Sequence, residues 1–179
     1  MAPPGETERL VFATWTDADA DAAWSLWGDA RVTRLIAAVP WTREQVDARL
    51  ATEMGMQLEH GVSYWPMFLR ADRSELVGCC GLRPYWGGAA GGVEPVFELG
   101  FHVRPEHWRR GFAAEAARAT IQHAWSVLGA RALVAGHNPA NAPSGALLGK
   151  LGFSRVADEH YAPTGLMHPT YVLERPGKE

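Results

Sequence analysis

The chain has 179 residues, 47% hydrophobic and 21% charged, which suits one domain with a sizeable core. Lys+Arg 17 against Asp+Glu 20 gives a net charge of −3, so nucleic acid, which needs clustered basic residues, is not an expected partner. The opening MAPPGETERL has no apolar core and no run of about 18 apolar residues follows, so neither a signal peptide nor a membrane span is expected.

Residues 1–7 read as a loose leader and 8–175 as one domain, with no internal repeat. A strand is expected over 9–15 (RLVFATW) and a helix over 18–27, announced by Thr16-Asp17. Asp17, Asp19 and Asp21 mimic the start of a calcium loop, but Ala22 and Gly28 stand where that loop needs Gly and Glu. Acidic residues favouring a helix start is the better reading. A second helix is expected over 43–59, with Val46, Leu50, Met54 and Leu58 as its apolar stripe. Segments 64–70 and 75–82 read as a hairpin, 87–92 (GGAAGG) as a loop and 95–103 (PVFELGFHV) as a further strand. A long helix follows over 110–128, with Ala113, Ala116, Thr120, Ala124 and Val127 on one stripe. After it come a strand at 132–136, a short helix at 143–151 stopped by Gly152, and closing strands at 153–157 and 169–174. The class is α/β (α+β), a sheet with helices in a single domain.

Chemistry concentrates in 98–117, ELGFHVRPEHWRRGFAAEAA, which runs from strand through a short turn into a helix start. A helix N-terminus exposes unpaired backbone N–H groups and the positive end of the helix dipole, a natural phosphate site. Gly111 removes a side chain there, Ala113 and Ala114 keep the approach narrow, and Arg109 and Arg110 add positive charge. A cofactor carrying a diphosphate is the expected ligand. Strand alternation puts Phe97, Leu99, Phe101 and Val103 on one face and Glu98, Gly100 and His102 on the other. That polar row is a candidate acceptor face, or a set of buried, hydrogen-bonded polar groups.

Trp108–Ala113, WRRGFA, resembles the acyl-CoA pyrophosphate loop of the GNAT acetyltransferases, Gln/Arg-x-x-Gly-x-Gly/Ala, with Gly111 and Ala113 at its last two fixed positions. Trp108 departs from the first position, as in the branch that acetylates ribosomal-protein N-termini. The Glu98-Leu99-Gly100-Phe101 strand and Glu115 are similar to that branch too. A second block, 138–153 (NPANAPSGALLGKLGF), is similar to its Asn-x-x-Ser … Lys-Leu-Gly-Phe segment through Asn141, Ser144, Lys150, Leu151, Gly152 and Phe153. The agreement spans roughly residues 8–175.

The resemblance implies a mixed, mostly antiparallel twisted sheet of six to seven strands with about four helices, splayed at the cofactor-binding strand. It also implies acetyl-CoA as cosubstrate, an amine acceptor, no metal, and N-acetyl transfer in the cytoplasm. Residues carried over as cofactor-binding are Phe101, His102, Val103, Arg109, Arg110, Gly111, Phe112, Ala113, Ala114, Asn141, Ser144 and Lys150. Glu98 is the first candidate for general base and His102 the second. Asn141 is also a natural helix N-cap. Many family members carry a Tyr seven residues after the position of Asn141 as acid; here Leu148 stands there, which keeps a non-catalytic acyl-CoA-binding or sensing module open as the alternative. The acceptor, a peptide N-terminus or a small amine, is left open, as is a homodimer.

Other features read as structural. Cys79 and Cys80 are adjacent, without His or Cys at ligand spacing, and suit buried thiols in a reduced compartment. GALLGK at 145–150 is one residue short of a nucleotide-binding P-loop and is followed by Leu151 instead of Ser/Thr. Trp41, Trp65, Tyr85 and Trp86 could line an acceptor pocket or fill the core.

Overall fold

In the computed structural model, which describes residues 1–92 and 94–177, seven strands form one sheet in the order β1-β2-β3-β4-β5-β7-β6. The strands are β1 (Leu10–Phe12), β2 (Tyr64–Leu69), β3 (Leu76–Pro84), β4 (Val96–Val103), β5 (Ala132–Gly136), β6 (Ser154–Tyr161) and β7 (Leu166–Glu174). Every neighbouring pair is antiparallel except β4 with β5. The helices are α1 (Ala20–Trp27), α2 (Ala30–Thr33), α3 (Arg43–His60), α4 (Phe112–Ser126) and α5 (Ala142–Lys150). This is the mixed, mostly antiparallel α/β architecture expected.

Alternation along β3, reset by the register shift opposite Met67 and Phe68, shows how the layers arise. Leu76 and Cys79 face the cluster built with Trp15, Trp27, Val46 and Leu50 from the α1–α3 side. Val77, Cys80 and Leu82 face the one built with Phe112, Ala116, Leu133 and Leu148 from the α4–α5 side. The two cysteines therefore lie back to back on opposite faces, both buried. Burial drives both thiol pKa values up, that of Cys80 to about 12, so neither is a ready nucleophile.

Several expectations need correction. Leu58 is 88% exposed, whereas Glu53 is fully buried. A row of i+4 steps drifts around a helix of about 3.6 residues per turn, so twelve residues from Val46 to Leu58 carry the side chain off the buried face. Positions 46, 50 and 53 stay in phase. Val127 is 55% exposed because α4 ends at Ser126 and Val127 is its C-cap. Residues 17–19 form a separate 3-10 turn ahead of α1, with Asp19 accepting the Thr16 N–H at 2.8 Å. The four-residue α2, capped by Asp29, was not expected. The β6–β7 hairpin is longer than the closing strands expected, pairing out to Tyr161↔Leu166 with one register shift between Arg155 and Ala157.

Candidate active site

The site forms where β4 and β5 part. They pair only through Val96↔Ala132, Phe97↔Leu133 and Glu98↔Val134; beyond Glu98, β4 continues along β3 while β5 continues along β7. The phase of β4 is fixed by three bonds. Tyr85 N–H reaches the Val96 carbonyl and Arg104 N–H reaches the Val77 carbonyl on the β3 side, and Arg131 N–H reaches the Pro95 carbonyl on the β5 side. Successive backbone groups alternate sides in a strand, so Phe101 and Val103 turn theirs to the open edge and His102 turns its own to β3. The Val103 carbonyl is already taken by the Trp108 indole N–H at 2.7 Å. Trp108, where the loop motif departs from its usual Gln or Arg, thus ties the turn to the strand.

The turn itself is held in an unusual shape. Arg109 (φ 60) and Gly111 (φ 82) are both left-handed, and among the described residues the N–H groups of Arg109, Arg110 and Gly111 donate to no backbone acceptor. Gly111 caps α4 without a side-chain hydrogen bond, so the first amides of that helix also lack one. Phe112 is buried in the core and contributes only its backbone. Behind the turn, Glu115 accepts from Thr7 Oγ1 (2.6 Å), Arg9 N (2.8 Å) and Arg9 Nε (2.7 Å), while Arg9 Nη1 donates to the Arg110 carbonyl at 2.9 Å. Burial pushes the Glu115 carboxyl up, but these bonds outweigh it and hold its pKa below the usual range.

At the gap between β4 and β5 lies a cavity of about 220 Å³, walled by Arg49, Tyr64, Arg83, Glu98, His102 and Glu159 and also by Phe101, Ala135, Asn141 and Ser144. Leu35 and Ile36 cover it from the segment after α2, and Ala38 N–H pins that segment to the Pro163 carbonyl at 2.9 Å. Glu98 lines it, and among the described residues none hydrogen-bonds to its carboxyl. Burial raises its pKa, opposed by the charges of Arg83 and Arg49. The Tyr64 phenol also has no hydrogen-bond partner among the described residues, and burial keeps its pKa well above the ordinary value. It lies where a Cβ on Gly100 would be only 2.2 Å from its ring, so Gly100 makes room for Tyr64.

His102 is differently placed. Its Nδ1 accepts the Trp27 indole N–H at 3.1 Å, and burial, with Arg49 and Arg83 nearby, lowers its pKa to about 3. Asn141 caps α5, accepting from Ser144 N at 3.4 Å. Leu148 is buried at the cavity wall. Lys150 is exposed at the far end of α5 and does not line the cavity. Of the four aromatics singled out in the sequence, Tyr85 lines the cavity, Trp65 is core, Trp86 is 76% exposed and Trp41 packs over Arg49. Arg49, Arg83 and Tyr64 escaped the sequence reading. The available signal was Glu53, an acid in the buried phase of α3 four residues after an arginine.

A family model for the acetyltransferase (GNAT) domain matches residues 9–154. The chain belongs to the GNAT acetyltransferases. An uncharacterized N-acetyltransferase of Bacillus subtilis (strain 168), YoaA, is 31% identical over 175 residues, 96% of each chain. The solved acetyltransferase of Agrobacterium tumefaciens str. C58 superposes with a TM-score of 0.79 at 22% identity, covering 98% of this chain and 96% of that one. The ribosomal α-N-protein acetyltransferase RimL has a TM-score of 0.75 at 13% identity over 97% and 93%. These likenesses to solved structures are likenesses of fold. A GNAT enzyme takes its acetyl group from acetyl-CoA, and the splayed strand and bare-amide turn fit that cosubstrate. No helix among the described residues is long and apolar enough to cross a membrane.

Proposed function

We propose that this enzyme transfers the acetyl group of acetyl-CoA to a primary amine, of a small molecule or a protein N-terminus, by direct attack and in the cytoplasm. The observation that carries the reading is the junction of a bare-amide turn, an unpaired β4 edge and a half-buried Glu98 carboxyl that faces the cavity without a hydrogen bond among the described residues. In this reading the amides of residues 109–114 hold the diphosphate, helped by the α4 dipole and the Arg109 and Arg110 charges. The open edge at Phe101 and Val103 pairs with the pantetheine arm, and Asn141 and Ser144 close the groove from α5. Lys150 stays outside that cradle. When bound, acetyl-CoA supplies an activated thioester.

Glu98 accepts the proton of the attacking amine, directly or through water. A raised pKa makes the Glu98 carboxylate a stronger base toward the amine it must deprotonate. His102 is given a packing role, because its Nδ1 lone pair is engaged and its pKa of about 3 makes it a feeble base. With Leu148 at the usual Tyr position, the proton donors available to the leaving thiolate are water and the phenols Tyr64 and Tyr161, whose pKa values burial raises. Leu148 is the one feature that favours a non-catalytic acyl-CoA module; the free Glu98 carboxyl opposes it.

Thermal shift with acetyl-CoA tests the first half. At 100 times its dissociation constant a ligand adds about 2.7 kcal/mol, a rise of roughly 5–10 °C for a chain of this size. Acetyl-CoA-dependent release of free thiol in the presence of amines tests the second. An unchanged melting temperature removes the cosubstrate assignment; binding without thiol release on any amine leaves the module.

A further inference from the structure

Two arginines meet in the acceptor cavity on a single acid. Arg49 Nε donates to Glu53 Oε1 at 2.7 Å, and Arg83 reaches the same oxygen through one terminal nitrogen. Glu53 is wholly buried, and its other oxygen accepts from Tyr64 N at 2.9 Å and Ser63 Oγ at 3.2 Å, so a single carboxylate is shared by two guanidinium groups. Among the described residues, no other group accepts from either arginine, and Arg49 Nη2 and Arg83 Nε are buried without any partner. The guanidinium groups are held instead by aromatic faces. Arg83 sits 4.7 Å from the Tyr64 ring centroid, and Arg49 sits 5.1 Å from Trp27 and 5.5 Å from Tyr64. Aromatic faces fix the position of a guanidinium without neutralising its charge.

The rest of the cavity has the opposite sign. Arg83 and Glu98 are direct partners across β3 and β4, side by side on one face, yet no salt bridge joins them. Glu98 keeps an unengaged carboxyl, and across the cavity Glu159 accepts from Tyr85 at 3.1 Å. The cavity therefore presents two guanidinium groups that share one buried acid, with the Glu98 carboxylate beside Arg83 and Glu159 across from them. A polyamine would meet the arginines, and a peptide N-terminus would bring an uncharged amide where a charge-assisted acceptor is wanted.

We infer that the acceptor is a small amine that also carries a carboxylate, an amino acid being the simplest form, with the carboxylate on Arg49 and Arg83 and the amine toward Glu98. This rests on the proposed acetyl transfer and adds the acceptor class. The transfer balances without further reagents. The amine nitrogen bonds to the acetyl carbon, the carbon–sulfur bond breaks, the nitrogen's proton passes to Glu98 and the thiolate takes up a proton from water.

The test is thiol release from acetyl-CoA with the full-length protein and a panel. The panel holds the twenty common α-amino acids, their carboxamides, β-alanine, γ-aminobutyrate, O-phosphoethanolamine, spermidine and a peptide with a free Ser N-terminus. At least one amino-carboxylate should be acetylated with kcat/KM roughly 100-fold above its carboxamide, because a site built around a polar group rejects the analogue lacking it. Arg83→Gln should raise KM for that amino acid by at least about tenfold and narrow the gap to the carboxamide, while acetyl-CoA still raises the melting temperature. Should Arg83→Gln not fold, Arg83→Lys, which keeps the charge but loses the fork, serves with the same readout and the same expected direction. Turnover confined to spermidine, the peptide or O-phosphoethanolamine overturns the inference while leaving acetyl transfer standing, as does equal use of an amino acid and its amide. No thiol release from any member also overturns it, and the acetyl-CoA melting shift then says whether the cosubstrate site survives.

Discussion

The two halves of the site, which meet at the gap between β4 and β5, are built from different materials. The cosubstrate half is backbone: the open edge at Phe101 and Val103 and the bare amides around Gly111, fixed by one left-handed glycine and by Glu115 behind it. The acceptor half is side chains, with Arg49 from α3, Tyr64 from β2, Arg83 from β3, Glu98 from β4 and Glu159 from β6. A backbone cradle suits a ligand common to a whole family, whereas a side-chain cavity can be re-specified one residue at a time. Substitutions should therefore separate cleanly into those that lose acetyl-CoA and those that lose the acceptor.

The largest effect expected is from Glu98→Gln. Removing a general base lowers kcat about 10²–10⁴-fold while acetyl-CoA affinity holds. In the native enzyme kcat should rise with pH through a pKa above the ordinary Glu value, a limb that the variant lacks. A Glu98→Gln enzyme that retains most of its kcat assigns the base elsewhere. Gly111→Ala should come next, on the other side of the divide. An L-residue at φ 82 costs about 1–2 kcal/mol, so acetyl-CoA should bind roughly 5–30-fold more weakly, measured by calorimetry. Binding unaltered by that change would place the diphosphate off this turn.

Gly100→Ala should act on the acceptor half alone. A new Cβ 2.2 Å from the Tyr64 ring forces the ring and the Arg83 guanidinium over it to shift. The expected cost is about 1–3 kcal/mol in stability, together with a raised acceptor KM. The smallest effect is from Glu115→Gln, about 1–2 kcal/mol or a few degrees of melting temperature, since Arg9 is 43% exposed and its ion pair is partly screened. The two carboxyls also differ in sign with pH. Glu115, with its pKa depressed by folding, adds stability that is present above the ordinary Glu pKa and lost as pH falls through the lower folded value. Glu98, with its pKa raised, adds stability that is present below the ordinary pKa and lost as pH rises through the higher folded value. Melting temperature against pH for Glu115→Gln and Glu98→Gln should part from the native curve in opposite senses.

The same division explains what could be read before any coordinates. The Gly111 turn, the β4 alternation that puts Glu98 on the cavity face, and the strand at 132–136 were legible because each depends on a contiguous run of residues whose local chemistry has one outcome. The arginine pair was not, because Arg49 and Arg83 come together only once β3 lies beside the α3 face, and nothing in either local segment records that. The expected stripe was right at Val46, Leu50 and Met54 but ran on to the exposed Leu58 and left out Glu53, the buried residue on which the pair converges. The Rim-like motif placed Glu115 correctly in the chain but said nothing of its work, which is to bind the residues before β1 to the start of α4.

The most direct test of the account is a crystal structure with acetyl-CoA bound. The diphosphate should lie within hydrogen-bond distance of the amides between Arg109 and Ala114, the pantetheine along the Phe101–Val103 edge of β4, and the thioester facing Glu98. A diphosphate held elsewhere, or a β4 edge covered by protein when the cosubstrate is present, would contradict it.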